Sequence, residues 1–316
     1  MSSILYIVIP CYNEEEVLQE TARQLKEKLN NLVQSNVISN KSRVLLIDNG
    51  SWDKTWEIIN VLHKQDKLFV GISLAKNHGH QNGLLAGLML AKQHSDVVIT
   101  MDADLQDDIN AIDEMLQKYY LGNDVVYGVR NSRSSDSFLK RFTAELFYKF
   151  MKLMGVDIVF NHGDFRLMSK RVLEALSEYR EVNLFLRGIV PDIGFKSDCV
   201  YHERHARFAG KSKYGLSSLF SLAANGITSF SVKPLKIITA VGITISVISM
   251  LAFIWFFIGG LRTHTDIGWP SIMCSIWGLG GLQIFFLGII GEYIGKIYFE
   301  AKGRPRYVIK SILLDE

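Results

Sequence analysis

Short apolar runs rich in β-branched residues alternate with amphipathic helical patterns between Ile4 and Arg130. The strand-like runs read ILYIVIP, RVLLID, LFVGISLA, DVVITMD and DVVYGVR. The first helical pattern follows ILYIVIP and ends near Leu32. The next three cover KTWEIINVLHK, HQNGLLAGLMLAKQ and NAIDEMLQKYY. Apolar strands separated by helices of this length are typical of βαβ units that form a mainly parallel sheet. We therefore predict an α/β domain of the nucleotide-binding, Rossmann-like type.

The hydrophobic pattern changes beyond Pro234, where two long apolar stretches follow each other. The first runs from Pro234 to Leu261, and the second runs from about Pro270 to Tyr298. A helix of about 27 residues is about 40 Å long, which is enough to cross a hydrocarbon core of about 30 Å. We therefore predict two transmembrane helices, with a pair of buried core helices as the alternative.

Basic residues flank this pair of helices, whereas the connection RTHTDIGW carries one Arg and one Asp. These residues are Lys233 and Lys236 before the first helix and Lys296, Lys302, Arg304, Arg306 and Lys310 after the second. By the positive-inside bias, both ends of the pair face the cytosol. We predict an integral inner or plasma membrane protein with two spans, whose soluble domain and both termini are cytosolic.

The chain is thus predicted to fall into four segments. A cytosolic domain covers 1–213, a juxtamembrane helix 214–232, the two spans 233–298 and a cytosolic tail 299–316. Within the first segment, apolar residues recur every fourth position over 138–154. This pattern fits an interfacial amphipathic helix and a core-facing helix equally well.

Composition narrows the class of protein without identifying it. The 316 residues are 48% hydrophobic and 21% charged with a formal net charge of +3, which indicates a folded chain and not a disordered one. The three cysteines, Cys11, Cys199 and Cys274, are far apart and lack the spacing of a zinc site or a disulfide framework. We expect no nucleic acid partner.

Polar and acidic residues follow the first, second and fourth predicted strands, in PCYNEEE, DNGSWD and MDADLQDD. Open α/β sheets bind their ligands at the carboxyl ends of the strands. The chain has neither the G-x-G-x-x-G pattern nor the Walker lysine motif. A dinucleotide-dependent dehydrogenase and a P-loop NTPase therefore lose their main support.

Asp102 and Asp104 lie two positions apart where the fourth strand ends, and Gln106 follows at the same spacing. Carboxylate and amide oxygens are suitable ligands for a hard divalent cation, which takes its other ligands from water and substrate phosphates. We predict Mg²⁺ or Mn²⁺ carrying a diphosphate at this loop. The alternative is a solvated loop without a metal.

Five motifs together resemble the inverting family 2 glycosyltransferases of GT-A fold. They are P-x-Y-N-E from Pro10, DNGSWDKT from Asp48, MDADLQD, GDFRLMSK from Gly163 and RFAGKSKY from Arg207. With the paired C-terminal helices, the chain is most similar to membrane-anchored polyisoprenyl-phosphate glycosyltransferases, which include bactoprenol glucosyltransferases and dolichol-phosphate mannose synthases. The resemblance implies transfer of a hexose from a nucleotide sugar to polyprenyl (undecaprenyl) phosphate.

The resemblance also implies roles for individual residues. Pro10, Tyr12, Asn13 and Glu14 would frame the nucleotide, Asp48 would hold its base, Asp102 would contact the sugar nucleotide, and Asp104 would hold the metal with Asp102 and Gln106. The family often has two acids where this chain reads Asp48-Asn49. The alternative for the loop that begins at Asp48 is an Asx turn that caps a helix. The resemblance favours a UDP-linked donor and suggests a homotetramer, but it leaves the sugar open.

Two basic clusters supply the positive charge that a reaction between two anions requires, because two unit charges 4 Å apart repel by roughly 4 kcal/mol at an effective dielectric of 20. We predict that Arg130, Arg133, Arg141, Lys211 and Lys213 bind the lipid phosphate and that Arg204 and Arg207 act in catalysis by absorbing charge on the leaving diphosphate. General attraction to anionic lipid is the alternative.

Asp164, in GDFRL, matches the position that the family uses as a catalytic base toward hydroxyl acceptors. A phosphate monoester has a second pKa near 6 and arrives largely ionised, so it needs little proton abstraction. We therefore predict a positioning or electrostatic role for Asp164. His78, His80, His202 and His205 fit no zinc spacing, and we expect them to be loop histidines.

Two other functions are compatible with parts of the pattern. A processive polysaccharide synthase would need a Q-x-x-R-W acceptor motif and more spans, and this chain has no Arg-Trp pair. A non-catalytic membrane subunit could use the same fold to bind nucleotide, but it would not need the Asp102/Asp104 pair.

Overall fold

A computed structural model describes residues 2–130, 154, 162–181, 184–203, 231–260 and 269–314. The strands are β1 (Leu5–Cys11), β2 (Arg43–Asp48), β3 (Phe69–Leu74), β4 (Val97–Thr100), β5 (Val125–Arg130), β6 (His162–Ser169), β7 (Ser197–His202) and β8 (Ile309–Leu313). The helices are α1 (Leu18–Gln34), α2 (Thr55–Gln65), α3 (His80–His94), α4 (Ala111–Tyr120), α5 (Lys170–Glu178), α6 (Leu186–Asp192), α7 (Lys233–Gly260) and α8 (Trp269–Lys302).

The eight strands form one sheet in the order β7-β5-β6-β4-β1-β2-β3-β8. The pairs β1/β2, β1/β4, β2/β3 and β5/β7 are parallel, while β4/β6, β5/β6 and β3/β8 are antiparallel. The predicted mainly parallel α/β sheet is confirmed. The antiparallel strands β6 and β8 were not predicted from the sequence.

Helices cover both faces of the sheet, and the central strands β1 to β4 are accordingly buried at nearly every position. Along β1, Leu5, Ile7 and Ile9 face one cluster, into which α1, α2 and α4 pack. The intervening Tyr6 and Val8 face the other cluster, into which α3, α5 and α6 pack. This two-sided burial explains why these strands are continuous apolar runs and not alternating ones.

Helices α7 and α8 coincide with the two predicted spans and contact each other. Within the described residues, one segment, Gly278–Lys302, is long and apolar enough to cross a membrane, and none of its most apolar window is buried. The two-span anchor therefore stays a prediction. Tyr293 donates a 2.6 Å hydrogen bond to the carbonyl of Ser231, which joins α8 to the residues just before α7.

The C-terminal tail packs against the soluble domain. Strand β8 pairs antiparallel with β3, so that Ser311 lies opposite Ser73. Ala75 N–H also donates to the carbonyl of Val308. The tail that follows α8 is therefore the last strand of the same sheet. The predicted segments 138–154 and 214–232 fall outside the described residues, apart from residue 154 and residues 231–232.

Candidate active site

The predicted site residues lie along one edge of the sheet, where the parallel strands end. From one side of this edge to the other, the order is His202 on β7, Arg130 on β5, Asp164 on β6, Asp102 after β4, and then the loops after β1 and β2. Asp164 belongs here because β6 runs antiparallel to β4. The last paired residues are Thr100 and Arg166, and Asp102 and Asp164 each lie two positions beyond them.

The loops after β1 and β2 are joined by hydrogen bonds between side chains and backbone. Asn13 N–H donates to Ser51 Oγ at 3.0 Å, and Trp52 N–H donates to Asn13 Oδ1 at 3.1 Å. Glu14 N–H donates to Thr55 Oγ1 at 2.9 Å. Asn13 has a φ of +53°, a conformation that Asn tolerates better than most residues. Of the residues predicted to frame the nucleotide, Asn13 and Glu14 thus lie in a fixed loop, and Pro10 and Tyr12 lie in or beside the end of β1.

Asp48, predicted to hold the base, is buried and has protein partners on both carboxylate oxygens. Oδ1 accepts a 2.9 Å hydrogen bond from Ser51 N–H, and Oδ2 accepts a 2.8 Å bond from the hydroxyl of Ser73. The first bond closes the loop over three residues, whereas the Asx turn expected as the alternative is made by Asp53, whose Oδ1 accepts from the N–H of Thr55 at the start of α2. The carboxylate shapes the loop whether or not it also contacts a base.

The neighbouring Asn49 connects this loop to a third one. Its Nδ2 donates to the carbonyl of Gly79 at 3.1 Å, and its Oδ1 accepts from His78 N–H at 3.1 Å. A second acid here could not donate to Gly79, so the departure from the family pattern has a structural role. Gly50 follows with a φ of +71°, and a Cβ on it would lie 2.4 Å from the carbonyl carbon of Lys76.

The loop after β4 carries the predicted metal ligands. Burial alternates along it: Met101, Ala103, Leu105 and Asp107 are buried, while Asp102, Asp104 and Gln106 are half-buried. Gln106 N–H donates to Asp104 Oδ1 at 3.3 Å, and the buried hydroxyl of Thr21 donates to the carbonyl of Ala103 at 2.8 Å. The three predicted ligands are therefore accessible members of a loop whose alternate residues are fixed in the core.

The chemistry of this loop fits a hard divalent cation. Desolvation by the surrounding protein raises the pKa of Asp102 to about 6. His80 opposes this shift, whereas the carboxylates of Asp164, Asp107 and Asp104 add to it. A bound cation would relieve this accumulation of negative charge. In the described part of the chain, no group of three or more His, Cys, Asp or Glu side chains forms a metal site on its own. The donors are two carboxylates and an amide, which leaves coordination positions for substrate oxygens.

Asp164 is buried among positively charged groups. Arg166 Nη2 lies 2.8 Å from Oδ1, Arg187 Nη2 lies 3.1 Å from Oδ2, and His80 Nε2 also lies 3.1 Å from Oδ2. Burial alone would raise the pKa of Asp164, but Arg187, His80 and Arg166 hold it well below the usual range. Asp164 raises the pKa of His80 in turn, against the effect of burial. This carboxylate stays ionised and is a poor proton acceptor at neutral pH.

Sequence reasoning did not assign roles to Arg166 and Arg187, and it treated His80 as an ordinary loop histidine. Arg166 was visible in the GDFRL motif, two positions from Asp164, and alternation along a strand places both side chains on one face. Arg187 and His80 come from distant parts of the chain, on α6 and α3. No spacing in the sequence relates them to Asp164, so only the fold brings them together.

Arg130 lies at the end of β5, directly paired in register with His202 at the end of β7. Its Nη2 is 3.3 Å from Oδ1 of the buried Asp107, and His202 Nε2 is 3.8 Å from the same oxygen. The two basic segments of the sequence therefore begin on adjacent strands beside the metal loop. Their other members, Arg133, Arg141, Arg204, Arg207, Lys211 and Lys213, lie outside the described residues.

Comparison with known proteins gives two matches to family profiles. Residues 6–177 match the glycosyl transferase family 2 domain, described as "Glycosyl transferase family 2", and residues 233–297 match the "GtrB C-terminal hairpin". Together they account for the sheet up to α5 and for most of α7 and α8.

Relatives match over almost the full length of the chain. The uncharacterized glycosyltransferase YkoT of Bacillus subtilis is 52% identical, over 99% of this chain and 93% of that protein. The bactoprenol glucosyl transferase of Shigella phage SfV is 41% identical, over 96% and 97% respectively. The prophage bactoprenol glucosyl transferase homolog of Escherichia coli K12 is 39% identical, over 97% and 98%.

Proposed function

Because this chain belongs to glycosyltransferase family 2, we propose that it transfers a hexose from a UDP-linked sugar to polyprenyl phosphate at the cytosolic face of a membrane. The product is a lipid-phosphate-linked sugar, a donor for modification of cell-envelope glycans. Relatives named bactoprenol glucosyl transferases support the lipid acceptor, since they match the soluble domain and the C-terminal hairpin together. Undecaprenyl phosphate is the acceptor that we propose.

The order of side chains along the sheet edge carries this proposal. The residues assigned to the sugar nucleotide lie on β1, β2 and β4, and Arg130 lies on the other side on β5. Asp164, on the strand between β5 and β4, separates them. Neighbouring strands are about 4.8 Å apart, so the two sides are about 10 Å from each other. This is the separation that suits two substrates meeting at one reacting carbon.

On the donor side, we propose that Pro10, Tyr12, Asn13 and Glu14 frame the nucleotide and that the loop shaped by Asp48 lies against its base. Asp102, Asp104 and Gln106 hold Mg²⁺ or Mn²⁺. When bound, the cation neutralises the diphosphate and makes it a better leaving group. The half-buried carboxylates of the loop, one with a raised pKa, are the observation that supports a cation there.

On the acceptor side, the phosphate of the lipid is the nucleophile. One of its oxygens attacks the anomeric carbon, the bond from that carbon to the diphosphate breaks, and the electron pair leaves with the nucleotide. Attack in line with the leaving group inverts the anomeric configuration. No protein base is needed, because the phosphate arrives ionised. Arg130, Arg133, Arg141, Lys211 and Lys213 bind the anionic head group, and Arg204 and Arg207 absorb charge in the transition state.

For the membrane arrangement, we propose that α7 and α8 both cross the bilayer. The pairing of β8 with β3 supports an even number of crossings, because the chain must return to its own sheet after α8. The soluble domain and the tail then lie on one side, which the flanking lysines and arginines assign to the cytosol. This arrangement holds the sheet edge near the lipid surface, where the phosphate of the acceptor lies.

The test is a product assay with the purified full-length protein in detergent. The protein is incubated with undecaprenyl phosphate and one UDP-hexose at a time in the presence of Mg²⁺ or Mn²⁺. The masses of the lipids are then measured by mass spectrometry. We expect one donor to add a single hexose mass and EDTA to abolish the reaction. D104N should lose at least about a hundredfold in rate (~3 kcal/mol). D108N removes a charge from the same loop at a residue with no assigned ligand role, and it should stay within about threefold of the unmodified protein.

Two results would contradict the proposal. A lipid product that has gained a sugar phosphate would indicate a different bond cleavage. The absence of lipid product with every donor, from a protein that still binds UDP-sugar, would favour a non-catalytic nucleotide-binding subunit. Equal activity of D104N and D108N would remove the metal assignment while leaving the transfer reaction in place.

A further inference from the structure

Arg187 and His80 meet at Asp164, at the boundary between the donor side and the acceptor side of the sheet edge. Arg187 Nε lies 3.3 Å from Asp164 Oδ1 and Arg187 Nη2 lies 3.1 Å from Oδ2, while His80 Nε2 lies 3.1 Å from Oδ2. The same nitrogen of His80 is 4.0 Å from Asp102 Oδ1. His80 therefore lies between Asp164 and Asp102, the residue assigned to the sugar nucleotide, and Arg187 lies beside it on Asp164.

The backbone that carries these two side chains is fixed by a buried network. Leu186 N–H donates to Gln81 Oε1 at 3.1 Å, and the carbonyl of Leu186 accepts from Arg166 Nη1 at 3.1 Å. Gln81 follows His80, and Leu186 precedes Arg187. The start of α3 and the start of α6 are thus bonded to each other, which keeps Arg187 and His80 at a constant separation. Preorganised groups of this kind are typical of binding sites.

Exposure differs sharply within the cluster. The side chain of Arg166 is 0% exposed and that of Asp164 is 6% exposed, whereas the side chains of Arg187 and His80 are each 31% exposed. The single negative charge of Asp164 is already matched by the buried Arg166. Arg187 therefore adds a second permanent positive charge at the accessible surface of the cluster, beyond what neutralising Asp164 requires.

The charge of the surroundings favours an anion at this surface. Asp102 is the neighbouring acid, and the cation proposed with the donor would neutralise it. His80 is also the first residue of the 15-residue helix α3, whose N-terminus contributes positive potential. With the donor bound, the positive charges of Arg166, Arg187 and His80 would outnumber the single negative charge of Asp164 among the residues named here. A guanidinium has five N–H donors, so one carboxylate does not exhaust its capacity for anions.

We propose that Arg187 and His80 receive the phosphate of the lipid acceptor and hold its attacking oxygen beside the sugar, an inference that rests on the function proposed above. Asp164 and Arg166 are positioning residues in this arrangement, because they orient the two cationic groups without contacting the substrate. The basic residues on and after β5 still bind the anionic head group, and Arg187 and His80 add the contacts that hold its attacking oxygen beside the sugar. An Arg, unlike a Lys, can make a bidentate pair with Asp164 and offer further N–H groups to a phosphate.

The test compares acceptor and donor binding in R187K and H80Q, with R171K as the control. Arg171 lies on α5 with its side chain 67% exposed and belongs to neither side of the site. The acceptor KM is measured with a short-chain polyprenyl phosphate, citronellyl phosphate, and the Kd of the UDP-hexose is measured by calorimetry with Mn²⁺. We expect R187K and H80Q to raise the acceptor KM at least about tenfold (~1.4 kcal/mol) and the donor Kd less than twofold. R171K should change neither.

Two outcomes overturn the inference. A donor Kd that rises as much as the acceptor KM would place Arg187 and His80 on the sugar nucleotide. An unchanged acceptor KM in both variants would make the cluster an anchor for the fold alone. If R187K does not fold, H80Q decides between the outcomes. An unmodified protein that forms no lipid product contradicts the proposed function itself, whereas product with an unchanged acceptor KM overturns only the role of Arg187 and His80.

Discussion

Asp164 and Arg166 lie 2.8 Å apart, from Oδ1 to Nη2, at positions where both side chains are almost completely removed from solvent. A buried carboxylate beside a buried guanidinium is stabilised only as a pair, because either charge alone would be very costly in the interior. Together with Arg187 and His80, this pairing keeps the pKa of Asp164 well below the usual range. An ionised, ion-paired carboxylate supports the proposed positioning role of Asp164 over a role as a base.

Replacing Asp164 with Asn should therefore lower both stability and rate. We expect a loss of about 3–5 kcal/mol in the free energy of unfolding, because Arg166 keeps its charge without a partner. The folded pKa of Asp164 is depressed, so its stabilisation is fully present above the unfolded value of about 3.9 and is lost only as the pH falls through the folded pKa. The losses of stability and of rate in D164N should therefore be the same at every pH from roughly 6 to 9, because this whole range lies above the folded and the unfolded pKa of Asp164.

Thermal unfolding and single-turnover transfer rates at several pH values check this expectation. We expect the rate to fall at least about tenfold at each pH. A loss of less than tenfold would make the positioning role minor. A rate that recovers as the pH rises would instead restore Asp164 as a general base.

The acceptor itself should set the pH dependence of transfer. If no protein group removes a proton, the acidic limb of kcat/KM follows the second ionisation of the phosphate, which is near 6 for a monoester. A polyprenyl phosphonate of the same chain length has a higher second pKa, and it should move the acidic limb to higher pH. The measurement is kcat/KM against pH for both acceptors. A limb that stays in place with both would point to a titrating protein group.

The sequence predicted strands β1 to β5 well, because local signals determine them. The strands β1 to β5 are apolar runs of the correct length, and polar motifs mark their carboxyl ends. Strand β6 was missed because HGDFRLMS mixes charged and apolar residues. Its Arg166 is fully buried, which no hydropathy pattern would indicate. Strand β8 was missed because its partner β3 lies more than two hundred positions earlier in the chain.

The candidate site divides in the same way. The acids of the metal loop could be found from their spacing, since a D-x-D pattern after a strand is a local feature. The cationic groups around Asp164 come from α3, β6 and α6, and they converge only because β6 runs antiparallel to β4. Contacts between residues so far apart in the chain produce no periodic pattern in the sequence. The role of Asp164 therefore required the fold, although its location did not.

The metal loop should be destabilising until a cation binds. Asp102 has a folded pKa of about 6 against about 3.9 when unfolded, so the folded state binds its proton more tightly. The free energy of unfolding of the metal-free protein should then fall as the pH rises from roughly 4 to 6, the interval between the two pKa values. Above about pH 6, Asp102 is ionised in the folded state and the whole destabilisation remains. D102N removes this cost. We expect a higher Tm than the unmodified protein at pH 8, no difference at pH 4, and no Mn²⁺-dependent donor binding.

Melting curves with EDTA, followed by calorimetry with Mn²⁺ and UDP-sugar, test both halves of this expectation. An Asn variant that is less stable at pH 8 would show that the carboxylate has favourable partners. An Asn variant that still binds the donor in a metal-dependent manner would remove Asp102 from the ligand set.

Gly50 should be intolerant of any side chain, and Gly122 provides a matched comparison. Both have positive φ, at +71° and +86°, but a Cβ on Gly50 would lie 2.4 Å from backbone of Lys76, while a Cβ on Gly122 meets nothing within 4 Å. G122A should cost about 1 kcal/mol from backbone strain alone. G50A should cost at least about 2 kcal/mol more and should weaken donor binding, because the loop of residues 76–79 must move. Equal Tm values for the two variants would contradict the close approach.

The C-terminal strand should stabilise the donor side of the site although it follows the membrane hairpin. Strand β8 covers the edge of β3, and the hydroxyl of Ser73 on β3 donates to Asp48 at 2.8 Å. Removing residues 304–316 exposes that edge and deletes the partly buried Leu313 and Leu314, which pack against the two core clusters, and this should cost about 2–4 kcal/mol. The Kd for the UDP-sugar should rise severalfold, while the protein stays in the membrane fraction. Removing 315–316 alone is the control, since it leaves β8 intact. A truncated protein with an unchanged Tm and an unchanged donor Kd would show that the sheet does not need the tail. The same result would remove the support that β8 gives to an even number of membrane crossings.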